Sequence, residues 1–183
     1  MIAVEILKIG GVIAYPTETV YGLGANIFNE NAVRRIFEIK KRPFGKPISV
    51  AVSGFDMIKD IAYLSQKNYK IIRKLLPGPI TIILPKKEIV SELIAGDFIG
   101  IRFPENDIAL EIIDKANFPI TATSANVSGE KEVTKPEDIN LDVDYIVKGE
   151  CKYQRPSTVV DLVNMKILRE SVGIEKVKNV LNI

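Results

Sequence analysis

Short apolar runs that end at proline or are entered through it, separated by stretches with helical spacing, set the terms for how this chain can fold. Gly11 to Tyr15 ends at Pro16, Ile48 to Val52 reads as a buried strand, and Ile99 to Phe103 ends at Pro104. Pro77-Gly78-Pro79 turns the chain into the β-branched run Ile80 to Leu84. Between these runs, Asn29 caps a stretch in which Ala32, Val33, Ile36, Phe37 and Ile39 share one helix face, and that helix stops before Pro43. Ser53 and Ser65 sit as N-caps of two further helices, and Asn106 as the cap of a helix through Lys115. Phe118 to Thr123 is expected as a strand, Val159 to Val163 with Met165 to Leu168 as a late hairpin, and a final helix from Gly173. Strands and helices alternating in this way predict an α/β (α+β) fold, a twisted mixed sheet flanked by helices. No linker, low-complexity break or repeat divides the chain, so residues 1–183 are expected to form a single domain.

Composition removes whole classes of chemistry. The chain has no histidine, which excludes a Ser-His-Asp triad, a Cys-His dyad and a His-ligated metal centre. The single Cys151 excludes an internal disulfide or a thiolate cluster and suits a reducing compartment. A net charge of +2 does not by itself announce a nucleic-acid binder, but cations cluster: Arg34, Arg35, Lys40, Lys41, Arg42 and Lys46 stand against one acid, Glu38, between Asn31 and Lys46. No apolar stretch is long enough to span a bilayer, and the start lacks the basic region of a signal peptide, so a soluble cytoplasmic protein without membrane partners is expected.

Three segments carry candidate chemistry. In Tyr15 to Gly24, Pro16 fixes the strand end while Gly22 and Gly24 allow close backbone approach, so Thr17 and Thr19 can face a cleft. A strand, turn and strand would use the same residues, and Glu18 reads either as a general base or metal ligand or as a solvated turn carboxylate, the turn role being the simpler. Lys40 and Arg42, two apart in the extended segment favoured before Pro43, can point the same way, with Lys46 four residues on; together they suit polyphosphate, or equally a helix C-terminus. Arg102 interrupts an apolar strand and calls for an anionic partner, either a carboxylate ligand or an internal acid. Thr121 to Gly129 packs small hydroxyl and amide side chains after a strand, a nest of donors for phosphate or a capped surface loop. Neither a Walker A loop nor a dinucleotide fingerprint is present, and Ser124 has no histidine base to make it a nucleophile, so its expected job is positioning.

These motifs occur in a specific order: Tyr15-Pro16-Thr17-Glu18-Thr19-Val20-Tyr21-Gly22-Leu23-Gly24, Lys40-x-Arg42-Pro43, Pro77-Gly78-Pro79-Ile80-Thr81, Ile101-Arg102-Phe103-Pro104, Ser124-x-Asn126 with Ser128-Gly129, and Arg155-Pro156-Ser157-Thr158-Val159-Val160-Asp161. In that order, from Gly10 to Glu170, the chain resembles the YrdC/TsaC family of threonylcarbamoyl-adenylate synthases, in its short single-domain form. The resemblance implies a YrdC-like fold with a concave basic cavity. It also implies a reaction in which L-threonine, bicarbonate and ATP, with Mg²⁺, give threonylcarbamoyl-AMP and pyrophosphate. That is the first step towards N6-threonylcarbamoyladenosine in tRNA, with a tRNA threonylcarbamoyl transferase complex receiving the product and room for direct tRNA contact. It assigns Lys40, Arg42, Ser124 and Asn126 to the nucleotide phosphates as catalytic residues, and Lys46 and Arg169 to further nucleotide contacts. Thr19, Arg102 and Ser157 would hold threonine, with Thr17 near, and no residue is assigned to a metal.

The chemistry agrees with that assignment, because threonine's amine can form a carbamate whose oxygen attacks the α-phosphate, with no protein nucleophile needed. Two other readings compete. One is a non-catalytic module binding double-stranded RNA or tRNA through the Asn31 to Lys46 cluster. The other is a carbamoyl-adenylate former acting on carbamoyl phosphate, which in hydrogenase maturation proteins is one part of a much longer chain.

Overall fold

A computed structural model describes residues 1–182. The chain runs α1 (Ile2–Lys8), β1 (Ile13–Tyr15), β2 (Gly22–Gly24), α2 (Glu30–Ile39) and β3 (Val50–Ala51), then α3 (Phe55–Ile61), α4 (Gln66–Leu75), β4 (Ile80–Pro85), β5 (Phe98–Arg102) and α5 (Asp107–Ala116). It continues through β6 (Ile120–Thr121), β7 (Thr123–Ser124), β8 (Tyr145–Ile146), β9 (Thr158–Asp161), β10 (Lys166–Arg169) and α6 (Ile174–Leu181).

The helices begin where side-chain acceptors meet free amides. Asn29 Oδ1 accepts from Ala32 N at 3.1 Å, Ser65 Oγ from Asn68 N at 3.1 Å, and Asn106 Oδ1 from Ala109 N at 3.0 Å. Ser53 departs from expectation: α3 is entered through extended Gly54, and Ser53 Oγ lies instead 3.6 Å from Met57 Sδ. Helix α2 buries Ala32, Val33, Ile36 and Phe37, the stripe read from the sequence. Helix α1 was not foreseen. It buries Ala3, Val4 and Leu7 in one cluster with Ile112 and Ile113 of α5, and packing supplies what so short a helix lacks on its own.

Where one mixed sheet was expected, the described residues form two, in the orders β7-β2-β1-β8 and β10-β9-β4-β5-β3-β6. Both are mixed: β1–β8, β3–β5 and β4–β9 run parallel and the remaining pairs antiparallel. The predicted strand Phe118 to Thr123 joins them by changing sheets. Ile120–Thr121 pairs with β3, Thr123–Ser124 pairs with β2, and Ala122 N donates to Ser49 O at 2.7 Å between the two. This crossover delivers Ser124 and the loop after it to the side of the molecule where α2 ends. The late hairpin forms, but its first strand closes at Asp161 because the Asp161 carboxylate takes the amides of Val163 and Asn164, at 2.8 and 3.0 Å, and turns the chain. The helices of the described residues include none long and apolar enough to cross a membrane.

Candidate active site

The turn after β1 is held by its own hydroxyls. Thr17 Oγ1 donates to Val20 O at 2.7 Å, accepts from Thr19 N at 3.2 Å and lies 2.8 Å from Thr19 Oγ1. This compact turn directs Glu18 inward. The expected solvated carboxylate is not found: Glu18 is 1% exposed, and its Oε1 accepts from Arg102 Nη2 at 2.6 Å. Burial of Arg102 thus has the internal acid that the sequence left as one of two options. Arg102 Nη1 also donates to Thr19 Oγ1 at 3.2 Å, and Thr17, Thr19 and Arg102 share a small hollow beside the main cavity.

At the end of α2 the extended segment expected to aim Lys40 and Arg42 together does not form. Lys40 closes the helix with helical dihedrals, and Lys41 turns the chain with φ 47°. Lys40 therefore points inward, 2% exposed, and its ammonium donates to Ser124 O at 2.5 Å, Asn126 O at 2.7 Å and Asn126 Oδ1 at 3.3 Å. Its own carbonyl accepts from Ser128 N at 2.8 Å. The hydroxyl-amide loop is closed further by Ser124 Oγ donating to Asn126 Oδ1 at 2.5 Å and by Asn126 Nδ2 donating to Glu130 O at 2.7 Å. Lys40 and Asn126 are thus the clasp that joins the two distant segments. Burial, with Arg42 nearby, lowers the Lys40 pKa to about 8.

Ser124, held by the clasp, lines a cavity of about 610 Å³, whereas Lys40 and Asn126, expected at the phosphates, are buried behind it and are not among its lining residues. The cavity lining includes Arg42, Ser124, Thr19, Arg102, Ser157 and Arg169. Arg42 is braced by its own loop, donating to Pro47 O at 2.9 Å and Lys46 O at 3.4 Å, whereas the exposed Lys46 side chain lies outside the cavity wall. Arg169 is re-aimed by a register shift in β10, between Ile167 and Arg169, and reaches Ser157 with Nε to O at 3.0 Å and Nη2 to Oγ at 3.2 Å. Ser157 is also 2.7 Å from Thr81 Oγ1. Burial lowers the pKa of both Arg42 and Arg169. Three guanidinium groups, Arg42, Arg102 and Arg169, with the hydroxyls of Thr19, Ser124 and Ser157 in the same lining, make a setting for a ligand bearing several anionic groups.

Sequence reasoning missed Glu132, a carboxylate in the cavity wall whose charge favours the protonated forms of Lys40 and Arg169. It lies in an irregular loop with no pattern to single it out. Thr81, inside the Pro77 to Thr81 motif, also lines the cavity and meets Ser157 there. The basic cluster looks different in three dimensions: Arg34 pairs with Glu30 at 4.0 Å, Arg35 is engaged by Asp144 and by Asp142 at 3.9 Å, and Lys40 is buried. A surface on which half the cations are already matched is a poor phosphate-backbone track.

The profile of the Sua5/YciO/YrdC family, described as "Telomere recombination", matches residues 5–171. A protein of Methanocaldococcus jannaschii is 41% identical over 175 residues, 93% of this chain and 83% of its own length. A Pyrococcus abyssi protein named threonylcarbamoyl-AMP synthase is 39% identical over 169 residues, 88% of this chain but 50% of its own. Among solved structures, P. abyssi Sua5 complexed with L-threonine superposes with a TM-score of 0.92 at 35% identity, covering 98% of this chain and 56% of that one. This chain therefore spans about half the length of the P. abyssi relatives.

Proposed function

The chain belongs to the Sua5/YciO/YrdC family, and from that premise we propose that it joins L-threonine, bicarbonate and ATP into threonylcarbamoyl-AMP with release of pyrophosphate, the first step of N6-threonylcarbamoyladenosine formation in tRNA. One observation carries the reading: two segments some eighty residues apart, tied by the Lys40 ammonium at Ser124 O and Asn126 O, shape a single cavity that also holds a buried arginine beside threonine and serine hydroxyls. The naming of relatives as threonylcarbamoyl-AMP synthases and the threonine complex of P. abyssi Sua5 support it.

In this reading Arg42, Ser124 and Arg169 receive the triphosphate, and Lys40 and Asn126 hold Ser124 in place. Arg102 takes the threonine carboxylate through the edge of its fork that Glu18 leaves free, with Thr19 and Ser157 nearby; Thr17 supports Thr19, and Lys46 supports Arg42 through its carbonyl. Attack of the threonine amine on bicarbonate yields a carbamate and water, and the carbamate oxygen then displaces pyrophosphate from the α-phosphate. The protein's contribution is orientation of the two reactants and neutralisation of charge that grows on phosphate oxygens. Among the described residues there is no group of three or more His, Cys, Asp or Glu able to hold a metal. The donor set therefore fits Mg²⁺ only as an ion brought by the triphosphate, with Glu132 as the cavity's nearby carboxylate, where it would offset phosphate charge. The product would pass to a tRNA threonylcarbamoyl transferase complex.

The test is pyrophosphate release from ATP by purified protein. The reading requires release that depends on both L-threonine and bicarbonate; release indifferent to either, or none, overturns it.

A further inference from the structure

Arg102 offers five N–H groups, and the protein matches two of them, one on Thr19 Oγ1 and one on Glu18 Oε1. Its Nε is buried without a partner, and so is Glu18 Oε2. Buried, unmatched atoms on both members of an ion pair cost stability and call for a purpose. The pair is also fixed from behind. Tyr153 N donates to Glu18 O at 2.8 Å, and the Thr17 turn sets the residues on either side of Glu18. Glu18 does not itself line the cavity; Arg102 does.

From this geometry we infer that Glu18 is a positioning residue for amino-acid binding: it holds the plane of the Arg102 guanidinium so that the remaining N–H groups present a fixed fork to a ligand carboxylate. The inference rests on the reading of the site as a threonine-consuming synthase. Arginine on a flexible stem reaches a carboxylate in many orientations, and a second carboxylate, held on a rigid turn, reduces them to one. Position and charge make opposite demands here. A carboxylate that merely balanced Arg102 would repel an incoming carboxylate, so its neutralisation would tighten threonine binding. A carboxylate that aims Arg102 would, when neutralised or shortened, weaken it.

Two variants separate these roles: Glu18→Gln keeps the shape and removes the charge, and Glu18→Asp keeps the charge and withdraws the oxygens by one methylene. Calorimetric titration with L-threonine and steady-state kinetics give the readout. Both variants are expected to weaken threonine binding and raise its KM at least tenfold, while the KM for ATP stays within twofold of wild type. Threonine binding within twofold of wild type, or tighter, in a folded variant overturns the inference, as does an equal rise in both KM values. Loss of a cooperative unfolding transition in both variants makes Glu18 a folding determinant and overturns it too. If wild-type protein binds no threonine, the functional reading itself falls; if wild type binds and the variants match it, only the role of Glu18 falls.

Discussion

Replacing Arg102 with methionine leaves a carboxylate buried without its cation. Glu18 is 1% exposed, and its 2.6 Å contact with Arg102 Nη2 is the ion pair that compensates its burial. Breaking a buried pair from one side costs about 3–5 kcal/mol, and for a chain of this size that lowers the unfolding midpoint by roughly 6–20 °C. Replacing both partners by apolar side chains removes the uncompensated charge, and the double variant Glu18→Met/Arg102→Met is expected to regain most of the loss, ending within about 2 kcal/mol of wild type. Denaturant unfolding followed by far-ultraviolet circular dichroism gives the four corners of the cycle. A single Arg102→Met variant less than about 1 kcal/mol below wild type, or a double variant as unstable as the sum of the singles, refutes the reasoning, because either result means that the two groups do not depend on each other.

Further outcomes follow from the same structure. Arg42→Ala, on an arginine braced only by its own loop, is expected to abolish pyrophosphate release with a stability change within about 0.5 kcal/mol, whereas Lys40→Met, which strips the clasp from Ser124 O and Asn126 O, should lose both activity and stability; activity assay and thermal melts distinguish them. Because the Lys40 pKa is lowered from 10.5 to about 8, the unfolded chain binds more protons between those values. The stability contribution of this residue therefore rises as pH goes from about 8 to 10.5, while activity falls as the ammonium loses its charge; melts and pyrophosphate release across that range, with Lys40→Met as reference, report the two opposed trends. Gly24→Ala would bring a Cβ to 3.1 Å from Ile13, Tyr15 and Ile120, and should cost about 1–3 kcal/mol in denaturant unfolding.

Capped helices and β-branched strands were legible because their signals are local. Asn29, Ser65 and Asn106 each meet an amide three residues on, and the run at Ile80 is central to its sheet whatever surrounds it. What escaped depends on contacts across the fold. Helix α1 exists because α5 packs against it, and the strand after Phe118 splits because two sheets compete for its amides. Among candidate site residues, the polar motifs point to segments that meet at one cavity but not to which of their side chains line it: Lys41's left-handed turn accompanies a Lys40 that points into the protein, and only three-dimensional pairing buries Glu18. Arg169 reaches the cavity through a register shift that periodicity does not encode.

Whether one cavity receives both the triphosphate and the amino acid is decided by a crystal structure of the protein with a non-hydrolysable ATP analogue and L-threonine. The phosphates are expected beside Arg42 and Ser124 and the threonine carboxylate on Arg102, within the same 610 Å³ hollow. Nucleotide lodged against the separate hollow lined by Lys135 and Lys148, or threonine away from Arg102, would contradict it.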